Sequence, residues 1–286
     1  MHSPRPSRAA LLSAVLFLAA LAVIAAPPAT SFSFVLLGDR TGETEPGVYE
    51  RLWHDLALEN PALVVSTGDS IEGLNGSRAD AEWQKFEQVL APYRKIPLYL
   101  TPGNHDVWSP SSERLFERYA GHAPHYSFDH EQVHFTILDN SRSDQFSPTE
   151  MQFLEKDLQE HAAQPVKFVL SHRPSWLIDA AFVNPHFPFH QVVKKYGVKY
   201  VIAGHIHQML HIDLEGITYV SLPSAGGHLR ASMQYDDGWF FAHTRVEVTG
   251  ASVSFQIQEL KPPYGQGRTS RLEDWGKAGR VKAVKQ

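Results

Sequence analysis

Five short apolar runs in this chain end in the same kind of punctuation. Residues 34–37, 63–66, 96–100, 166–170 and 200–203 are followed, in turn, by Gly38-Asp39, Gly68-Asp69, Gly103-Asn104-His105-Asp106, Ser171-His172 and Gly204-His205-Ile206-His207. A run of this length bounded by glycine reads as a buried strand, and the polar residues then stand where the strand ends. In an open α/β sheet, ligand groups collect at the carboxyl edge of the strands, so five such endings predict one shared crevice. Any one of them alone is ordinary turn chemistry, since turns select Gly, Asn and Asp. Five in register with five strands are a site.

The remaining pattern agrees with an α/β chain. Residues 46–59 carry Val48, Leu52, Leu56 and Leu58 at near-helical spacing and stop at Asn60-Pro61. Residues 79–90 repeat the design with Trp83, Phe86 and Leu90 facing a core. Ser147-Pro148-Thr149-Glu150 is a capping box with proline at the first helical position, which opens a helix to about residue 159. Residues 126–128 and 133–138 read as a strand pair. After His207, residues 211–214, 217–222, 240–248 and 252–257 read as consecutive antiparallel strands that complete a two-sheet sandwich. From 261 onward, prolines, glycines and a basic end predict a poorly ordered tail.

Residues 1–26 have the layout of an export signal. Arg5 and Arg8 precede an apolar run from Ala9 to Ala26, with Ser13 its one polar residue, closed by Pro27-Pro28. The run suits either a cleaved signal peptide or a retained membrane anchor. Both readings put the folded part outside the cytoplasm, whether periplasmic, secreted or anchored.

Composition narrows the chemistry. Sixteen histidines and no cysteine confine any metal site to imidazole, carboxylate, amide and water, which excludes thiolate zinc and iron-sulfur clusters. Net charge is -5 with no long basic run, so no nucleic-acid partner is expected. No His-Glu-x-x-His helix motif of a metalloprotease is present.

Taken in order and at these spacings, the motifs resemble the calcineurin-like metallophosphoesterases, over roughly residues 32–258. The resemblance implies an α/β fold of four layers, two mixed sheets flanked by helices. It implies hydrolysis of small phosphomonoesters or phosphodiesters through a metal-bound hydroxide. Two divalent ions, Mn, Fe or Zn, would polarise the phosphate and stabilise the leaving oxygen. On this resemblance Asp69 bridges the two ions, Asp39 and His207 hold the first, and Asn104, His172 and His205 hold the second. If Gly204-His205-Ile206-His207 continues as a strand, both imidazoles share a face and Ile206 points to the core. His105 would lie over the substrate as proton donor, with Asp106 either orienting it or capping the next turn. Arg40 reads as either a phosphate-binding fork or a surface residue.

One departure matters. The family's first motif is Asp-x-His, and here it is Asp39-Arg40-Thr41. The branch related to purple acid phosphatases lacks that histidine too, but has a tyrosine three residues after the bridging aspartate, where this chain has Glu72. The first ion is therefore expected to be weakly held, with Glu72 available to restore charge. The alternative is a metal-poor ligand-binding protein on the same fold. Residues 107–113, 141–146, 173–188 and 224–234 are expected as loops that select the substrate, with Trp108, Trp176, Phe182, Phe187 and Phe189 as a possible aromatic wall.

Overall fold

The computed structural model describes residues 30–261, 263 and 265–276; the proposed export segment lies outside them. Twelve strands form two six-stranded sheets. In the first sheet, β1 (Ser31–Leu37), β2 (Val64–Ser66) and β3 (Leu98–Leu100) run parallel. β10 (Phe241–Thr249), β11 (Ser252–Lys261) and β12 (Gly265–Arg271) extend it in antiparallel fashion beyond β1. The second sheet has the order β4 (Tyr126–His130), β5 (Val133–Ile137), β6 (Val166–Leu170), β7 (Tyr200–Ala203), β9 (Ile217–Ser221), β8 (Leu210–Leu214). Its four inner strands are parallel and both edges antiparallel.

The layering follows from period-two patterning with both faces apolar. Along β1, Phe34 and Leu36 face the second sheet, where Phe34 meets Phe135 and Phe168 edge-on at 5.2 and 5.4 Å. Val35 and Leu37 face outward onto α1 (Val48–Leu58), α2 (Ala79–Leu90) and α3 (Pro110–Ala120) through Leu52, Trp53, Trp83, Phe86 and Phe116. On the far side, Val169, Val201 and Ala203 pack with α4 (Pro148–Glu160), α5 (Leu177–Ala181) and α6 (Pro188–Lys195). The result is the expected four-layer arrangement of two mixed sheets between helices.

Three expectations are corrected. The segment after His207 is not one antiparallel series: β9 inserts parallel to β7, and the chain crosses to the first sheet only at β10. Residues 107–113 are not all loop, because Ser109 caps α3 by accepting the Ser112 N–H while the Ser112 hydroxyl returns to the Ser109 N–H. The region beyond 261 is not a loose tail through its whole length. β12 pairs with β11, and Trp275 is fully buried, stacked on Phe240 at 5.3 Å and donating its indole N–H to Ser270 Oγ at 2.9 Å. A tryptophan that fills the end of the core and satisfies its polar atom anchors what glycine and proline content makes look disordered.

One ion cluster around a buried histidine ties the second sheet to α4. His134 is enclosed, with Nδ1 2.7 Å from Asp129 Oδ1 and Nε2 2.9 Å from Asp157 Oδ2. Burial works against its charge, but the two carboxylates outweigh that and raise its pKa, while Asp157, despite its own burial, is held low by His134 and two hydroxyls. The His134 contribution is thus complete below the ordinary histidine range and is lost as pH rises through the elevated pKa. The Asp157 contribution is lost only as pH falls below the ordinary carboxylate range. His134→Gln should accordingly lower the melting temperature more at pH 6 than at pH 9, measured by thermal unfolding at both. Trp275→Ala should destabilise by about 3 to 5 kcal/mol in denaturant titration, in the range of large aromatic truncations in a core.

Candidate active site

The carboxyl ends of the two sheets meet, and the five sequence punctuations meet with them. Leu37, Ser66 and Leu100 lie in register at the ends of β1, β2 and β3. Across the junction, His172 follows β6 and places Nδ1 2.9 Å from the Thr67 carbonyl. A carbonyl only accepts, so Nδ1 keeps its hydrogen and Nε2 is turned into the crevice. That nitrogen lies 2.9 Å from Asn104 Oδ1, 3.1 Å from His205 Nδ1 and 3.3 Å from Asp69 Oδ2.

Asp69 is fully buried. Its Oδ1 accepts the His105 backbone N–H at 2.9 Å, while Oδ2 has no hydrogen-bond partner. An orphaned carboxylate oxygen facing an amide oxygen and two imidazole nitrogens is a donor set for a divalent cation, and the residues present fit one. Asp69, His172 and His205 have ligand atoms all within 4.8 Å of one another. Asp39 is also buried; it accepts the His205 N–H at 2.9 and 3.0 Å and has Oδ2 3.2 Å from His207 Nε2. The His207 Nδ1 hydrogen is held by the His228 carbonyl at 2.7 Å, so its Nε2 also faces inward.

The backbone that does this is unusual. Asp69, His205 and His207 have φ of 54°, 69° and 60°, the left-handed region that non-glycine residues seldom occupy. This replaces the expected strand geometry at Gly204-His205-Ile206-His207. β7 ends at Ala203, and Ile206 is half-exposed instead of pointing to the core. Two left-handed residues separated by one turn both imidazoles inward without a ladder. A Cβ at Gly103 would overlap Asp69 Oδ1, and one at Gly204 would overlap Asp39 Oδ1, so both turns require glycine for close approach.

The electrostatics record a demand for positive charge. Burial would lower the His172 pKa, but the Asp69 and Asp39 carboxylates override it and raise it to about 9. Asp69, despite burial, is held well below the usual carboxylate range by His172 and His105. His205 is pushed down to about 4 by burial and by the charges of His172 and Arg173, which keeps it neutral as a ligand must be.

Other predicted residues fall elsewhere. His105 is at the mouth, with Nδ1 2.6 Å from the Glu72 carbonyl and Nε2 4.0 Å from Asp69 Oδ2. Its orienting partner is thus that backbone carbonyl. Asp106 does not touch the His105 ring. Its carboxylate accepts the Ser70, Ile71 and Gly103 N–H groups at 2.8, 3.2 and 2.9 Å, joining the loops after β2 and β3. Burial and the neighbouring Asp69 carboxylate push its pKa up to about 7. Arg40 is no phosphate fork: its guanidinium donates to the Ser70 carbonyl at 2.7 Å and packs 5.4 Å from the Tyr49 ring and 5.7 Å from Phe86. Thr41 donates to the Ile71 and Asp69 carbonyls, and Glu72 accepts from Thr44 and the Glu43 N–H, so neither side chain is turned to the centre. Of the aromatic wall, Trp176, Phe187 and Phe189 are buried core, and Phe182 is exposed. Sequence reasoning left Arg230 unremarked inside residues 224–234; its guanidinium lies 3.3 Å from His207 Nε2.

Fold and ligand set define a metallophosphoesterase, an enzyme of the hydrolase class. The comparisons agree. A family model described as calcineurin-like phosphoesterase matches residues 34–209, and the chain belongs to that family. The 3',5'-cyclic adenosine monophosphate phosphodiesterase CpdA of Escherichia coli (strain K12) is 30% identical over 200 residues, which cover 66% of this chain and 69% of that protein. A probable cyclic nucleotide phosphodiesterase of Moraxella catarrhalis (strain BBH18) is 28% identical over 210 residues, 65% of this chain and 72% of that one. Among solved structures, purple acid phosphatase PPD1 from yellow lupin (Lupinus luteus) seeds shares the fold, with a TM-score of 0.59 at 16% identity over 89% of this chain; the chain spans 53% of that enzyme. GAP50, the anchor in the inner membrane complex of Plasmodium, does so with a TM-score of 0.59 at 15% identity, covering 89% of this chain and 90% of that one.

A cation entering the ligand set must displace the His172 proton. Apparent Mn²⁺ affinity, measured by calorimetry on metal-stripped protein, should therefore rise with pH by up to about tenfold per unit and level off near pH 9.

Proposed function

We propose that the protein is an exported, metal-dependent phosphodiesterase acting on small phosphodiesters of the cyclic-nucleotide kind. The observation that carries this is the convergence of Asp69 Oδ2, Asn104 Oδ1, His172 Nε2 and His205 Nδ1 beside the inward-facing Nε2 of His105. The two relatives named as cyclic nucleotide phosphodiesterases supply the ester class. Asn104, His172, His205 and Asp69 would hold one divalent ion, and Asp39, His207 and Asp69 a second. Bound there, such ions supply positive charge to the phosphate and acidify water.

The chain's own residues do the rest. The Glu72 backbone carbonyl fixes the His105 ring by accepting a hydrogen bond from its Nδ1–H, so proton exchange with the substrate runs through Nε2 alone. From that position His105 gives a proton to the departing alkoxide oxygen. Asp106 keeps the loops bearing Asp69 and His105 together through its three backbone bonds. Beside His205, a recess of 390 Å³ walled by Pro174, Leu177, Ile178 and Ile206, with Arg173 and Asp144 at its rim, would take the organic part of the ester. The export reading rests on residues 1–26 and predicts recovery of the protein outside the cytoplasm in cell fractionation.

The test uses the full chain, stripped of metal and titrated with Mn²⁺, on bis-p-nitrophenyl phosphate, 3',5'-cyclic adenosine monophosphate and p-nitrophenyl phosphate. Diesters should turn over faster than the monoester. Asp69→Asn should abolish the Mn²⁺-dependent rate, and His105→Ala should retain Mn²⁺ binding while kcat falls about 10²- to 10⁴-fold. Absence of diester turnover at saturating Mn²⁺ would sink the proposal.

A further inference from the structure

The two halves of the centre are unequally equipped. The Asn104, His172, His205 and Asp69 half has its ligand atoms drawn together, as described above. The other half has Asp39 and His207 at 3.2 Å. Among the described residues, neither of the two groups of three or more His, Asp or Glu ligands includes them. The side chains the sequence offers to complete it, Thr41 and Glu72, are engaged with backbone groups and face away.

What does reach this half is a guanidinium. Arg230 brings NH2 to 3.3 Å from His207 Nε2. Because His207 Nδ1 keeps its hydrogen on the His228 carbonyl, Nε2 is the acceptor and Arg230 the donor. The guanidinium also lies over Gly42, since a Cβ built there would be 3.7 Å from Arg230 NH2 and 3.3 Å from His207 Cε1. Its position is built from the loop that carries it. Ala225 and Gly227 donate their N–H groups to the Asp39 carbonyl at 2.9 and 3.1 Å, and His228 donates to the Gly42 carbonyl at 3.0 Å. Glu45 donates to the Gly226 carbonyl at 2.7 Å, and the Leu229 side chain is buried in the layer between the first sheet and its helices. The same loop therefore sets the His207 tautomer and delivers a permanent cation beside it.

We infer that Arg230 is a substrate-binding residue, which supplies to the phosphate the positive charge that the Asp39–His207 half would otherwise draw from a tightly held second ion. Its planar fork offers two N–H donors to two phosphate oxygens, a geometry suited to a phosphodiester monoanion. While it donates to His207 Nε2 it also competes with a cation for that lone pair. The inference rests on the metallophosphoesterase reading of the site.

The experiment measures binding without turnover. Full-length protein loaded with Mn²⁺ is titrated with inorganic phosphate by calorimetry, and Mn²⁺ stoichiometry is read separately by equilibrium dialysis, for wild type, Arg230→Ala and Arg230→Lys. Arg230 is exposed, so the alanine variant should fold with an unchanged melting temperature. Phosphate affinity should fall about tenfold in Arg230→Ala and recover in part in Arg230→Lys. The second equivalent of Mn²⁺ should bind more tightly in Arg230→Ala, because His207 Nε2 is released. A phosphate Kd within twofold of wild type in Arg230→Ala overturns the inference, whatever the metal stoichiometry. If phosphate binding depends on Arg230 but no ester is hydrolysed, the assignment of Arg230 stands and the phosphodiesterase reading fails.

Discussion

Three carboxylates, Asp39, Asp69 and Asp106, are buried at the junction of the two sheets, and the architecture around them is a solution to that burial. An ionised carboxylate removed from water costs several kcal/mol unless hydrogen bonds or opposite charge compensate it. Asp106 is answered by three backbone N–H groups, drawn from the loops that follow two neighbouring strands. One oxygen of Asp69 is answered by the His105 N–H, and Asp39 by the His205 N–H. The second oxygen of Asp69 has no hydrogen-bond partner; His172 Nε2 is 3.3 Å away, with further imidazole and amide groups around it. A chain that leaves one buried anionic oxygen unpaired, while pairing every other oxygen of the three with backbone or imidazole, has reserved that oxygen for a cation.

The backbone needed for this arrangement is not available in regular structure. Turning the N–H groups of residues 103, 105 and 205 onto carboxylates requires the chain to fold back sharply just past each strand. The left-handed conformations of Asp69, His205 and His207 are what that reversal costs locally, on the order of 1 to 3 kcal/mol each. The packed sheets behind them hold the strain. Phe34, Phe135 and Phe168 interlock between the sheets, and the strand ends are fixed in register, so the loops cannot relax without disturbing the core. Rigidity of the sandwich and accuracy of the site are one property.

What could be read from the sequence was what depends on periodicity and punctuation. β6, β7 and α2 lie where apolar spacing places them, and the five polar endings do converge. Unread were the features fixed by long-range contact. Nothing local to Arg40 says that Tyr49 and Phe86 will hold it, and nothing in Gly265–Arg271 says that a partner strand is waiting at β11. Local signals were also passed over: Ser109-Pro110 followed by Ser112 is a helix start of the same kind as Ser147-Pro148. The His-Ile-His geometry was misassigned for a physical reason. Period-two alternation and a left-handed turn both place residues i and i+2 on one side, and only the φ values separate them.

The substitution at Thr41 and the approach of Arg230 have a joint consequence in charge. Asp39 and Asp69 bring two negative charges to the centre, while burial and the neighbouring Asp69 carboxylate oppose ionisation of Asp106. On the proposed reading, with the Asp39–His207 half only weakly filled, one divalent ion held by Asp69, Asn104, His172 and His205 would neutralise the two carboxylates, and Arg230 would add a single positive charge. That balance matches a phosphodiester, which carries one negative charge. A phosphomonoester dianion bound at the same place would leave one negative charge uncompensated in a partly buried crevice, where the penalty is steep. A second fully occupied divalent site would remove the discrimination by adding two further positive charges. On the proposed reading, then, loss of the first-motif histidine and preference for a diester are linked. The weaker metal half makes the centre less able to hold a dianion, and the guanidinium sets its charge to that of the ester it would cleave.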